Sequence, residues 1–189
     1  MAEWPESNRV RREVVKCMAR TRRQKPKSRR SVSRLRIRRA RLIDLEHLVS
    51  QRRTMWAEIG ITDRQELRRA DREYRSWARN GLRNGTLLGW IVEDEKKQVA
   101  GSGCLWLQPI QPRPGIRTSF QPYLLSMYTE PSFRGKGVAS KIVDEAKRWS
   151  KKKRFPQLVL HASKMGRRVY SGRGFKRSWE MRARLDSRR

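Results

Sequence analysis

Residues 123–146 read YLLSMYTEPSFRGKGVASKIVDEA and combine the features of a strand, a glycine-rich loop and a helix. The run from Tyr123 to Thr129 is apolar, aromatic and β-branched and is too short for a helix, so it predicts a buried strand. Pro131 ends this strand because proline has no N–H to donate to a sheet ladder. From Val138 onwards apolar residues recur at helical spacing, which predicts a helix directly after the loop.

The loop over residues 134–139 has the composition of an anion-binding site. The first N–H groups of a helix have no partner within the helix, and the helix dipole places positive partial charge beside them. Gly135 and Gly137 lack a Cβ, so an anion can approach the backbone closely. Arg134 and Lys136 add full positive charge. The loop suits a pyrophosphate, although it matches neither the P-loop spacing nor the GxGxxG dinucleotide fingerprint.

Two stretches of the chain resemble the GCN5-related N-acetyltransferases, the GNAT superfamily. Arg134-x-x-Gly137-x-Ala139 is similar to the family's Q/R-x-x-G-x-G/A element. Residues 160–175 resemble the family's strand-then-helix ending, in which an Asn, a small residue, a Tyr and a Gly-Phe pair recur. The residues at these positions are Ser163, Gly166, Tyr170 and Gly174-Phe175. The resemblance covers roughly residues 35–185.

The resemblance implies an acetyl-CoA-dependent enzyme that moves an acetyl group directly to a primary amine of an acceptor. In this family the central strand pairs with the pantetheine arm like an added strand, and an amide there polarises the thioester carbonyl. The amides of residues 134–140 are expected to bind the pyrophosphate. The implied cofactor-binding residues are Met127, Tyr128, Thr129, Arg134, Gly135, Lys136, Gly137, Val138, Ala139, Ser140 and Ser163.

Two residues are expected to be catalytic. Tyr170 is the expected general acid for the leaving thiolate, because a phenol has a pKa near 10 and is protonated at pH 7; the alternative interpretation is an ordinary core tyrosine. Glu130, beside the central strand, is the first candidate for the general base, ahead of Glu58, Glu93 and His161. Water also stays open as the base, because positive potential lowers the pKa of an amine.

The predicted fold class is α/β (mixed α+β), with one GNAT-like mixed sheet of about seven strands and helices on both faces. The predicted order is β-α-α-β-β-β-α-β-α-β-β. The strands are expected over 35–39, 86–93, 99–107, 123–129 and 155–161, with a closing hairpin over 175–185. Four helices are expected: one over 44–60, one from a capping box at Thr62 to Gly81 or Gly85, one that begins at Val138, and one over 164–172. The connection 108–120 is either a wall of the acceptor site or a surface excursion.

The net charge of +30 is spread over the whole chain. Residues 1–41 hold 16 Lys and Arg against three acids, a balance of +13, and the remainder holds 32 against 15, a balance of +17. Residues 1–34 are predicted to be a basic, disordered tail before an acetyltransferase domain at 35–189. Such a field attracts polyanions. The alternative function is therefore a nucleic-acid- or ribosome-binding protein that keeps this fold without catalysis.

Composition also indicates which partners the chain is expected to bind and which it is not. No apolar run approaches the ~20 residues of a membrane span, and the N-terminus lacks the apolar stretch of a signal peptide, so no membrane contact is expected. Cys17 and Cys104 belong to no CxxC or His/Cys cluster, which predicts no metal site and fits the cytoplasm. The expected acceptor is a small-molecule or peptide amine; a basic enzyme repels polycations, so a neutral or acidic amine is favoured.

Further contacts are expected at the tail and near the acceptor. The tail is expected to contact nucleic acid or the ribosome non-specifically, and a homodimer stays open. Trp90 and Trp106 are either walls of an apolar acceptor pocket or core residues.

Overall fold

A computed structural model of the protein describes residues 34–114 and 118–183. All but Arg34 of the predicted tail, and the end of the predicted closing hairpin, lie outside these residues. The described chain forms five strands and four helices, with short 3-10 turns at Leu42–Asp44 and Pro131–Phe133. The elements are β1 (Arg36–Arg39), α1 (Leu45–Glu58), α2 (Arg64–Asn84), β2 (Leu87–Glu93), β3 (Val99–Pro109), β4 (Phe120–Thr129), α3 (Val138–Lys152), β5 (Val159–Leu160) and α4 (Arg167–Ser171).

The five strands form one mixed sheet in the order β1-β2-β3-β4-β5. The first four are antiparallel to their neighbours, and β5 runs parallel to β4. The mixed α/β sheet is therefore as expected, but the described part does not reach the predicted seven strands. Residues 175–183 carry no strand, because beyond Phe175 this segment buries no apolar face: Trp179 and Met181 are 99% and 97% exposed. No helix of the described chain is long and apolar enough to cross a bilayer.

Strand β2 is buried on both faces because helices pack on both sides of the sheet. Successive side chains of a strand point to opposite faces. Leu88, Trp90 and Val92 pack in a cluster with α3. Leu87 and Ile91 pack in a second cluster with α1 and α2. Trp90 is 1% exposed within the first cluster, so the suggestion that it lines an acceptor pocket is wrong.

Helix α2 begins one residue later than its predicted capping box. Asp63, rather than Thr62, is the N-cap, and its Oδ1 accepts hydrogen bonds from the amides of Gln65 and Glu66 at 2.7 and 3.2 Å. The carboxylate of Asp63 provides the acceptor that the first helical N–H groups require. The helix ends at Asn84, and the next residue, Gly85, has a φ of 78°, the left-handed conformation typical of a helix end.

Two glycines on β3 allow α3 and β4 to pack closely. A Cβ at Gly101 would collide with the Tyr128 carbonyl oxygen and lie 2.8 Å from Cγ1 of Val138. A Cβ at Gly103 would collide with the Met127 sulfur and lie 2.8 Å from Cγ2 of Ile142. The two glycines differ in one respect, because a backbone carbonyl cannot move aside whereas a methionine side chain can.

We therefore expect Gly101→Ala to lower the free energy of unfolding by about 3 kcal/mol, at the upper end of overpacking costs. Gly103→Ala is the matched comparison and should cost less, because Met127 can adopt another rotamer. Urea denaturation of the three proteins, followed by far-UV circular dichroism, measures both values. Equal losses for the two variants would contradict this explanation.

Candidate active site

Strands β4 and β5 separate after a short paired region, and the space between them is the candidate site. They pair only at Tyr123 with Val159 and at Leu124 with Leu160. From Leu125 to Thr129 the β4 edge facing β5 has no strand partner within the described chain. An unpaired edge offers backbone N–H and C=O groups to a ligand that adds as an extended segment.

A β-bulge lies on β4 where it leaves β5. Leu125 pairs with Cys104 and Tyr128 pairs with Ser102, so Ser126 and Met127 together oppose one residue of β3. Ser126 has a φ of 51°, which is unusual for a residue other than glycine. Bulges bend a strand and often lie beside functional sites. The irregularity therefore coincides with the opening of the sheet.

A cavity of about 1350 Å³ fills this opening and extends to α1 and α2. Most of the site residues predicted from the sequence line it. They are residues 127–129 on β4, Arg134 and Gly135 in the loop, residues 137–140 at the start of α3, and Ser163 and Tyr170 beyond β5. Lys136 and Glu130 are not among the described residues that line it.

The loop before α3 presents free backbone amides to the cavity. The amides of Gly135, Gly137 and residues 138–140 have no backbone acceptor within the described chain. Gly135 and Gly137 have φ values of 75° and 83°, and a Cβ at either would meet no atom within 4 Å. The space in front of the loop is thus open, and its donors fit an anionic phosphate group. The Lys136 amide is not free, since it donates to the Phe133 carbonyl at 3.3 Å.

The two basic side chains of the loop point elsewhere. Arg134 donates through Nη2 to both oxygens of Glu58 at 2.6 and 2.7 Å, and through Nε to the Thr129 carbonyl at 3.2 Å. The Glu58 carboxylate raises the pKa of this guanidinium. Lys136 lies with its Nζ 5.0 Å from the centre of the Phe133 ring. In this structure Arg134 therefore links the loop to the end of α1.

Tyr170 lines the other wall of the cavity, on α4. Its ring packs edge-to-face with Phe175, with centroids 5.9 Å apart, and a Cβ at Gly166 would lie 2.6 Å from ring atom Cε2. None of the side-chain hydrogen bonds within the described chain uses its hydroxyl group. Burial raises the pKa of Tyr170, so the phenol is protonated at neutral pH. Nearby, the Ser163 hydroxyl accepts a hydrogen bond from the Gly166 amide at 3.2 Å.

The candidates for the general base lie in different places. Glu130 accepts a hydrogen bond from Nε2 of the buried Gln51 at 2.6 Å, and Glu93 is paired with Arg38 at 2.6 Å. Glu58 and His161 do line the cavity. His161 is engaged through both ring nitrogens, one with the Tyr123 hydroxyl and the other with the Glu180 carboxylate.

The part of the cavity near α1 and α2 is aromatic. Trp106 lines it and packs edge-to-face with Trp77, with centroids 5.8 Å apart. Tyr74 lies 5.6 Å from Trp77 in turn. Of the connection predicted over 108–120, only Gln108 lines the cavity within the described residues, so that segment contributes little to this wall.

A family model described as the acetyltransferase (GNAT) family matches residues 46–175. The chain belongs to this family. The resemblance seen in the sequence is thereby confirmed, as are its two coarsest consequences, an N-acetyltransferase and acetyl-CoA as the acyl donor.

Solved GNAT structures share the fold. A GCN5-related N-acetyltransferase from Ralstonia eutropha is 25% identical with a TM-score of 0.73, over 80% of this chain and 99% of that one. A predicted acetyltransferase with acetyl-CoA from Clostridium acetobutylicum is 29% identical with a TM-score of 0.72, over 81% and 96%. An aminoglycoside N-acetyltransferase in complex with CoA, at 20% identity and a TM-score of 0.62 over 82% and 96%, shows the fold alone. No curated protein matches the chain.

One part of this GNAT cavity escaped the sequence analysis. Arg52, Met55, Trp56 and Ile59 line it from the end of α1. Their spacing of i, i+3, i+4 and i+7 marks one helical face. The signal was present, but helical spacing alone does not separate a cavity wall from a continuation of the core face that begins at Leu45. Ile59 is instead 51% exposed and follows the last residue of the helix.

Proposed function

We propose that the chain transfers an acetyl group from acetyl-CoA directly to a primary amine within the cavity between β4 and β5. One observation carries this proposal: the unpaired edge of β4, the free amides of the loop before α3 and the Tyr170 phenol all face one cavity. Acetyl-CoA supplies a thioester, whose carbonyl carbon accepts the amine nitrogen as its bond to sulfur breaks. The chain's own residues hold the donor, orient the two reactants and protonate the leaving thiolate.

The donor is proposed to be held mainly by backbone. The free amides of Gly135, Gly137 and residues 138–140 bind the pyrophosphate, aided by the dipole of the 15-residue helix α3. The open edge over residues 127–129 pairs with the pantetheine arm. Ser163 takes part through its hydroxyl, which stands where the family often has an Asn. Arg134 contributes its loop amide and fixes the loop to Glu58, and Lys136 contributes charge.

Tyr170 is proposed as the general acid. Its phenol is half-buried on the cavity wall and has no other hydrogen-bond partner within the described chain, so the proton is available to a departing thiolate. A phenol ordinarily has a pKa about 1.5 units above that of a thiol. Burial raises the pKa of Tyr170 further, so the acid carries its proton at neutral pH when the thiolate departs. Gly166 makes room for the ring, so the orientation of the phenol depends on this glycine.

The amine is proposed to lose its proton to water. The two base candidates on the cavity wall are already engaged: Glu58 by Arg134 and by the Tyr128 hydroxyl at 3.3 Å, and His161 by Tyr123 and Glu180. Nearby positive charge lowers the pKa of an amine and raises its neutral fraction. A role for Glu130 as the base stays a prediction, because its carboxylate lies against Gln51 rather than on the cavity wall.

The non-catalytic alternative is not favoured, because the family is one of acetyltransferases. Contact of the basic tail with nucleic acid or the ribosome, a homodimer and a cytoplasmic location stay predictions. Tail binding would be strongly salt-dependent and lost on removal of residues 1–34.

Thermal unfolding with and without acetyl-CoA tests the proposed function. At about 100 times its Kd the donor should raise Tm by roughly 5–10 °C, and ADP should raise it far less. Release of free thiol in the presence of amines then reports transfer. Equal shifts with acetyl-CoA and ADP would mean that a basic surface merely collects phosphates, and the proposed site would be wrong.

A further inference from the structure

Arg52 lies in the acceptor part of the cavity between two aromatic rings. Its Cζ is 4.5 Å from the centre of the Tyr74 ring and 5.5 Å from that of Trp56. The side chain is half-buried and lines the cavity, on the face of α1 that also presents Met55. The rings hold the guanidinium in place, since cations are attracted to aromatic faces.

This guanidinium has no carboxylate within 4.0 Å among residues 34–114 and 118–183. Other arginines nearby are paired within the same range: Arg53 with Asp71, Arg75 with Glu46, and Arg134 with Glu58. In a chain with this many arginines, an exposed unpaired one is ordinary. An unpaired one on the wall of the active-site cavity is not, because partial burial costs a charged group part of its hydration.

The surroundings of Arg52 also indicate that its guanidinium binds an anion. Burial lowers the pKa of this guanidinium, and the Asp71 carboxylate, which is itself paired with Arg53, opposes this only in part, so a partner anion would further stabilise the charge. Guanidinium donors form a planar fork that matches a carboxylate. The site is therefore prepared for an anion that enters with the acceptor.

We propose that the acetyl acceptor is a primary amine that carries a carboxylate, and that Arg52 binds this carboxylate. The inference rests on the proposed function, because it concerns the acceptor end of the same cavity. Apolar and aromatic side chains, among them Trp56, Trp77 and Trp106, surround the rest of the acceptor space. An amino acid with an aromatic or aliphatic side chain combines the primary amine, the carboxylate and the apolar group that this space requires.

A carboxylate fits better than a phosphate. A phosphate monoester carries about −1.5 to −2 charges at pH 7, whereas Arg52 supplies one positive charge. The other cavity arginines are engaged: Arg134 pairs with Glu58, and Arg182 with Glu180 at 2.6 Å. One unpaired guanidinium therefore balances a monoanion and leaves a dianion under-compensated.

The experiment compares matched amines that differ only in the carboxylate. The pairs are L-phenylalanine with phenethylamine, L-tryptophan with tryptamine, and L-leucine with isoamylamine. Thiol release gives kcat/KM for each compound with the full-length wild-type chain and with Arg52→Met, Arg52→Lys and Arg64→Met. Arg64 is exposed at the start of α2 and outside the cavity, so Arg64→Met removes the same charge elsewhere.

We expect the wild type to prefer at least one amino acid over its amine by about 10- to 100-fold in kcat/KM, the range for hydrogen bonds to charged groups. Arg52→Met should reduce this ratio to near one by lowering only the amino-acid value, and Arg52→Lys should keep a small part of it. Arg64→Met should keep the wild-type ratio. The thermal shift by acetyl-CoA should be the same in all four proteins.

Three results separate the possible failures. An unchanged ratio in Arg52→Met would overturn the role of Arg52. Transfer to the amines alone, or to neither member of any pair while acetyl-CoA still stabilises the protein, would overturn the carboxylate class and leave the donor site intact. Absence of stabilisation by acetyl-CoA in the wild type would instead overturn the proposed function itself.

Discussion

Gly137→Asp is expected to raise the Kd for acetyl-CoA by more than about 100-fold and to remove the thermal stabilisation that the donor provides. Gly137 precedes α3, its amide faces the cavity, and the space beside its Cα is open. An aspartate there places a carboxylate where the pyrophosphate binds. Two like charges 4 Å apart repel by about 4 kcal/mol at an effective dielectric constant of 20, which exceeds the ~2.7 kcal/mol of a 100-fold loss.

A second glycine provides the control for backbone strain. Gly137 has a φ of 83° and Gly85 has a φ of 78°, and neither has an atom within 4 Å of a Cβ position. Gly85→Asp therefore introduces the same charge and nearly the same conformational cost at the end of α2, away from the cavity. We expect Gly85→Asp to bind acetyl-CoA like the wild type.

A further variant isolates the charge. Gly137→Asn has nearly the size of aspartate and tolerates the left-handed conformation, but it is neutral. It should lose much less affinity than Gly137→Asp in isothermal titration with acetyl-CoA, and the difference should shrink at high salt. If Gly137→Asn and Gly137→Asp weaken binding equally, shape rather than charge governs the loop, and the proposed pyrophosphate position is wrong.

The loop and helix start that we propose to hold the donor could be predicted from the sequence because they are built from backbone. Whether an amide is free depends on local chain conformation, which glycine spacing and helix periodicity determine over a few residues. Gly135, Gly137 and the start of α3 could therefore be located without knowing any distant contact. The separation of β4 from β5 had no local signal in the sequence.

The sequence could not predict where the long side chains point. Arg134 was expected to face a phosphate, yet its guanidinium pairs with Glu58, 76 residues away along the chain. Glu130 was expected in the site because it follows the central strand, but its carboxylate lies against Gln51. Both outcomes depend on how α1 packs against β4, which periodicity alone does not specify.

The end of the chain shows the same limit. Phe175–Leu185 alternates enough to suggest a hairpin, but a strand needs a partner and a buried face as well as a pattern. Phe175 packs against Tyr170, whereas Trp179 and Met181 are almost fully exposed. The alternating pattern therefore indicated a local propensity for strand, but the described residues of this segment do not pack as a strand.

Tyr170→Phe is expected to lower kcat by about 100-fold or more, with little change in the binding of acetyl-CoA. Loss of a positioned general acid typically costs 10²- to 10⁴-fold. The substitution removes only the hydroxyl, which has no hydrogen-bond partner in the part of the chain that the structure describes. The ring can still pack against Phe175, 5.9 Å away, and over Gly166. The stability of the protein should therefore be unchanged.

The same residue can be displaced without losing its hydroxyl. Gly166→Ala places a Cβ 2.6 Å from the present position of the Tyr170 ring, so the phenol must move. We expect this variant to lose part of kcat while the donor still raises Tm. A core tyrosine with no chemical role would give a different result, because Tyr170→Phe would then keep its kcat and only Gly166→Ala would be affected, through stability.

The direction in which kcat/KM changes with pH tests whether Tyr170 is the general acid. Burial raises the pKa of Tyr170 above its ordinary value near 10, so the phenol keeps its proton as the pH rises from 7 to 9.5. Over this range the neutral fraction of an amine acceptor increases, and the wild-type kcat/KM should rise or stay level. A fall below pH 9 that is present in the wild type and absent in Tyr170→Phe would require a phenol with a lowered pKa. A half-buried tyrosine whose pKa is raised by desolvation alone cannot provide that, and the assignment of the acid would then fail.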